Sequence, residues 1–127
     1  MMQNSDSINE RPPIWVGHIT LQVSNLSASL KFFLFVGMRQ VAKLPGVTVL
    51  ELRGGTHLVL QSQDNIEPRQ ASFDLMVDDL ATQHRLLQSA GYTVQPIKTG
   101  RLHNTFDVTE PSGNIITFFD THVAGVV

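Results

Sequence analysis

The sequence predicts an α+β domain built from two copies of a β-α-β-β-β unit, and three observations carry that prediction. Residues 18–26 (HITLQVSNL) align with residues 72–80 (SFDLMVDDL) at an offset of 54 residues, and the same offset places Gly37 on Gly91. Within each copy, apolar residues first alternate with the period of a half-buried strand and then recur at helical spacing until the glycine. A chain of 127 residues accommodates one such domain and is too short for two independent cores.

The elements follow in order. Ile19, Leu21 and Val23 alternate with His18, Thr20 and Gln22, which marks the first strand. Ser24 or Asn25 caps a helix whose apolar face carries Leu26, Leu30, Phe33 and Leu34, and Gly37 stops it. In the second copy Phe73, Leu75 and Val77 alternate with Ser72, Asp74 and Met76. Asp78 or Asp79 then caps a helix bearing Leu80, Leu87 and Ala90 that stops at Gly91. Each helix leads to a short strand, at 39–42 and 93–95, and then to a hairpin. One hairpin runs 47–52, turns at Gly54-Gly55 and returns over 57–61; the other runs 104–108, turns at Pro111-Ser112-Gly113 and returns over 114–120. Residues 1–13 lack periodicity and end in two prolines, so a flexible lead-in is expected there. The single domain then spans 14–127, with halves at about 14–66 and 67–123 joined through 64–69.

Composition narrows the function classes. Hydrophobic residues make up 42% and charged residues 16%, the balance of a chain that folds and buries a core. The net charge of −2 with no basic run argues against nucleic acid as a partner. There is no cysteine, which excludes disulfides, thiolate metal sites and a thiol nucleophile. No apolar run approaches the length of a membrane span and no signal peptide is visible, so a cytoplasmic protein without membrane contact is expected.

Alternation also sorts side chains by face. If Leu21, Val23, Leu50, Leu58 and Leu60 lie under the first helix, then His18, Gln22, Glu51, His57, Val59 and Gln61 look the other way. In the second half Ser72, Asp74, Met76, Thr105, Asp107, Ile115, Thr117 and Phe119 occupy that helix-free face. Two such faces curved toward each other would make a cup with mixed polar groups and an apolar floor, the makeup of a ligand pocket.

The strings HITLQVSNLSASLKFF followed by GM, DLMVDDLATQHRLLQSAGY, and TEPSGNIITFFD resemble the vicinal oxygen chelate superfamily. That superfamily includes glyoxalase I, extradiol dioxygenases, fosfomycin resistance proteins and bleomycin resistance proteins. The resemblance covers about residues 15–122 and implies the glyoxalase/bleomycin resistance/dioxygenase fold, in which two modules form a cupped mixed sheet, commonly within a homodimer. The family's metal positions fall on His18, Val59, Ser72 and Thr117, of which only His18 matches. Divalent metals want three or more His or carboxylate donors, so neither a full metal site nor a cofactor is expected.

The expected function is therefore binding of a small organic molecule in the cup. His18, His57 and Glu51 are the catalytic candidates, because an imidazole titrates near neutral pH and Glu51 faces His57 across the Gly54-Gly55 turn. Gln22, Gln61, Ser72, Asp74, His103, Asp107, Thr117 and Phe119 are the ligand-binding candidates. Trp15, Met76 and Ile115 are further candidates for its apolar wall, and Glu51, Asp74 and Asp107 give the cup an acidic lining. His84 and His122 read as surface residues. The alternative is a metal-dependent lyase, isomerase or dioxygenase that uses His18 with the off-pattern ligands His57 and Glu51.

Overall fold

The computed structural model describes residues 8–127, so most of the expected lead-in lies outside the described residues. The first half contains β1 (His18–Val23), α1 (Leu26–Val36), β2 (Arg39–Leu44), β3 (Val47–Glu51) and β4 (His57–Ser62). The second half repeats the order as β5 (Gln70–Val77), α2 (Leu80–Ser89), β6 (Thr93–Val94), β7 (Thr105–Thr109) and β8 (Ile115–Asp120). The strands form two four-stranded sheets, β1-β4-β3-β2 and β5-β8-β7-β6. Both are mixed for one reason. The helix returns the chain to the far edge, three strands meander back antiparallel, and the last lies parallel to the first, β4 on β1 and β8 on β5.

The caps are local and work in both copies. The Asn25 side chain accepts the Ala28 amide at 3.1 Å, and Asp79 accepts the Thr82 amide at 3.0 Å. Gly37, at φ +125°, ends α1 with its amide donating to the Leu34 and Phe33 carbonyls. The core is one cluster drawn from both halves, including Leu21, Val23, Leu50, Leu58, Leu60, Leu75, Phe106, Val108, Ile116 and Phe118. These residues hold the expected strand parity. The helix phase differs: α1 buries Phe32 and Phe33 together with Ser29, while Leu34 is 41% exposed. In the run Phe32-Phe33-Leu34-Phe35 every position is apolar, so hydrophobicity alone leaves the phase open. Ala90 likewise is exposed as the C-cap of α2.

Beyond the shared core and other contacts between the halves, two polar joints among the described residues each tie a helix-capping corner of one half to a hairpin turn of the other. At the first, Ser29 and Asn25 meet the β7–β8 turn. Glu110, 1% exposed, accepts from Ser29 Oγ at 2.5 Å, from the Ser112 and Asn114 amides at 3.0 and 3.1 Å, and from Asn114 Nδ2 at 2.8 Å. Ser112 Oγ takes the Asn25 amide at 3.0 Å, and Asn114 Nδ2 also reaches the Gln22 carbonyl at 3.0 Å. At the second joint, Arg53 in the β3–β4 turn pairs with Asp78 beside α2 through bonds of 3.0 and 3.3 Å. Both of its side chains are 68% exposed, so salt screens this pair.

Candidate functional site

On the helix-free face of the first sheet, register lines up four residues on four adjacent strands. His18 on β1 opposes His57 on β4, His57 opposes Glu51 on β3, and Glu51 opposes Arg39 on β2. The His18 and His57 rings lie 5.6 Å apart, edge to face. His57 Nε2 and Glu51 Oε2 are 3.2 Å apart, and Arg39 Nη2 donates to Glu51 Oε1. The three catalytic candidates are thus neighbours in one transverse row, and Arg39 joins them.

Sequence reasoning missed Arg39, because its partner depends on how β2 aligns with β3. This arginine changes the electrostatics. The bond from Arg39, then that from His57, holds the Glu51 carboxyl below the usual carboxylate range. Glu51 therefore does not add a free negative charge to the face, and the expected acidic lining contracts to Asp74 and Asp107. A carboxyl whose folded value is lowered contributes stability above its ordinary value, and that stability is lost as pH falls through the lowered one. The expected result is that a difference in urea midpoint between wild type and Glu51→Gln at pH 7 narrows as pH falls toward 3; an undiminished difference at pH 3 would count against the row.

The remaining candidates spread along both sheets. Gln22 and Gln61 oppose each other at the far end of β1 and β4, and Gln22 Oε1 accepts from Arg69 at 3.4 Å. On the second sheet Asp74, Thr117 and Asp107 form a second row. Thr117 Oγ1 donates to Asp107 at 2.6 Å and accepts from Gln70 Nε2 at 2.9 Å. Ser72 is exposed in the stretch where β5 loses register with β8. Met76 and Phe119 are paired in register, as are Phe119 and Thr105. His103 packs on Phe119 with ring centroids 4.9 Å apart, and His122 stacks on the same phenyl at 5.3 Å.

His122 is exposed, as expected, and caps that aromatic cluster from outside. The surface assignment of His84 needs correction, because it is half-buried and binds the Gln95 carbonyl at 2.9 Å while its ring meets Phe106 edge-on at 5.0 Å. Trp15 is not on the sheet face either. It lines a cavity of about 840 Å³ between the N-terminal arm, the β3–β4 turn and the last five residues, Val123 to Val127.

The donor set does not fit the family's metal. Val59 has no ligating atom, and the Thr117 hydroxyl is already held between Asp107 and Gln70. Both Glu51 oxygens are engaged, and among the described residues no group of three or more His, Cys, Asp or Glu side chains is arranged to hold a metal ion.

A family model for the Glyoxalase/Bleomycin resistance protein/Dioxygenase superfamily matches residues 15–118. The chain belongs to this superfamily. Solved structures of superfamily type agree in fold. A lactoylglutathione lyase from Agrobacterium tumefaciens superposes with a TM-score of 0.73 at 18% identity, over 91% of this chain and 100% of that one. A bleomycin resistance determinant encoded on the transposon Tn5 gives 0.70 at 17% identity, over 86% and 99%. TnmS3, an antibiotic binding protein from Streptomyces sp. CB03234, gives 0.72 at 22% identity, over 87% and 98%. No curated protein sequence matches the chain. Among the described residues no helix is long and apolar enough to cross a membrane.

Proposed function

We propose that this superfamily member binds a small, flat organic molecule against the helix-free sheet faces and does so without the family's metal set. The carrying observation is the state of the former ligand positions. Val59 stands between Thr20 and Val49 as apolar floor, and Thr117 is a hydroxyl in a closed hydrogen-bond chain. What is left is apolar area flanked by oriented polar groups, which suits an organic ligand better than an ion. The fold likeness to an antibiotic binding protein and a bleomycin resistance determinant is consistent with that reading. An NMR screen of uncharged aromatic fragments tests it. Shifts are expected at Val49, Val59, Met76 and Phe119; shifts confined to Trp15 and the last residues would overturn it. Elemental analysis of protein purified without chelator is expected to give far less than one metal per chain, and near-stoichiometric metal lost in His18→Ala would refute the metal-free part.

The transverse row favours a second reading, acid–base chemistry of the lyase or isomerase kind. A neutral His57 that donates from Nε2 to Glu51 presents Nδ1 as a base, with His18 beside it.

We also infer that two chains pair. Ile14, Trp15 and Val16 are exposed next to β1, and the edge strand β2 exposes Val41 and Leu44. Light scattering at micromolar protein should give a dimer mass; a monomer mass would refute this.

A further inference from the structure

We infer that the loop 98–103 (KTGRLH) is an oxyanion site at the edge of the second sheet, and that the molecule bound there carries a carboxylate or phosphate group. Two backbone hydrogen bonds between Lys98 and Thr105, 2.7 and 3.0 Å, close the loop at its base. Inside it, a Cβ on Gly100 would collide with the His103 carbonyl oxygen, so the turn is tight enough to exclude any side chain there. The loop borders an open cavity of about 350 Å³ whose walls include Lys98, Thr99, Arg101, His103 and Thr105 and no carboxylate.

The charge of that wall is uncompensated. Among the described residues the ion pairs are Arg39–Glu51, Arg53–Asp78 and His57–Glu51, and neither Lys98 nor Arg101 enters one. Asp120, which joins the end of the loop, accepts the Asn104 amide on Oδ1 at 3.0 Å.

An independent observation comes from His103. Its Nδ1 is buried and has no hydrogen-bond partner. The same side chain lines the cavity, so a hydrogen-bonding group of its wall lacks a protein partner. The ring is held on its other sides by Phe119 at 4.9 Å and His122 at 5.4 Å. Two cations outside those ion pairs, an imidazole and two hydroxyl side chains thus line one small space, which is the chemistry that recognises an oxyanion.

The loop adjoins the proposed ligand face, because Thr105 lines the cavity and is the register partner of Phe119. A molecule with its acid group in the loop would lay its flat part on Phe119 and Met76. That extension rests on the sheet-face reading; the oxyanion site by itself does not.

The experiment is a ¹H–¹⁵N NMR titration with inorganic phosphate, with sodium chloride at matched ionic strength as control. Saturable shifts of residues 99–103 are expected with phosphate only, and the double variant Lys98→Gln/Arg101→Gln should weaken binding about tenfold or more, the loss expected for charge-assisted hydrogen bonds. Equal responses to phosphate and chloride, or an unaffected double variant, would overturn the proposal. Both substitutions are on exposed side chains, and an unchanged spectrum outside the loop verifies folding. Phenyl phosphate and benzoate then separate the two acid groups and the two readings. Either aromatic acid should bind more tightly than its plain anion, phosphate or acetate, and lose that advantage in Phe119→Ala. An aromatic acid with no advantage would refute the extension onto the sheet face and leave the oxyanion site standing. Uncharged aromatics shifting Phe119 with no response to phosphate would do the reverse.

Discussion

Glu110→Ala is expected to destabilise the protein by about 3–5 kcal/mol, because it removes the acceptor of several buried donors and each one left unsatisfied costs about 1–3 kcal/mol. Glu110 is 1% exposed and accepts four hydrogen bonds, from Ser29 Oγ, two backbone amides and Asn114 Nδ2. Truncation leaves those donors facing a void, and water reaches a buried alanine-sized gap poorly. In a domain of this size each kcal/mol shifts the melting temperature by roughly 3–6 °C, so a fall of about 10 °C or more should appear in calorimetry. Glu110→Gln keeps one acceptor and should fall between wild type and alanine. A loss under about 1 kcal/mol for alanine would show that the joint is dispensable to the fold.

Phe118→Ala should cost about as much, roughly 3–5 kcal/mol, by a different route. Phe118 is fully buried and stacks on Phe106 at 5.1 Å with ring planes 4° apart, while the two residues are register partners on β8 and β7. Its stacking partner Phe106 is fixed by ladder hydrogen bonds on β7, so it cannot move over to fill the cavity. Phe118→Leu, which retains most of the volume, should recover more than half of the loss in urea unfolding; a Leu variant as unstable as Ala would point to stacking rather than cavity volume as the cause.

How much could be read from the residues depended on how local each determinant is. The capping pairs Asn25–Ala28 and Asp79–Thr82 span three residues, and strand parity needs only neighbours two apart, so the element order, both caps and the helix-free face were all legible. The facing of Glu51 and His57 was legible too, since a short turn ties them. Arg39 was not, because a bulge between Gln40 and Ala42 shifts how β2 meets β3. Glu110 was invisible for another reason. A carboxylate before Pro111 in a hairpin turn looks solvated, and only contact with Ser29 of the other half buries it. Trp15 went astray likewise, since the path of the N-terminal arm is settled by residues more than a hundred positions away, where the Val126 amide meets the Ile8 carbonyl at 3.4 Å.

The two joints between the halves are built from matching corners yet from opposite materials. One is a dry knot around Glu110; the other is a pair of wetted charges, Arg53 and Asp78. Ionic strength can therefore loosen only one of them, since the Debye length is about 8 Å at physiological salt and screening acts on exposed charges. High salt is therefore expected to weaken the Arg53–Asp78 pair and to leave the Glu110 joint as it is, while the core shared by both halves holds them together in either buffer.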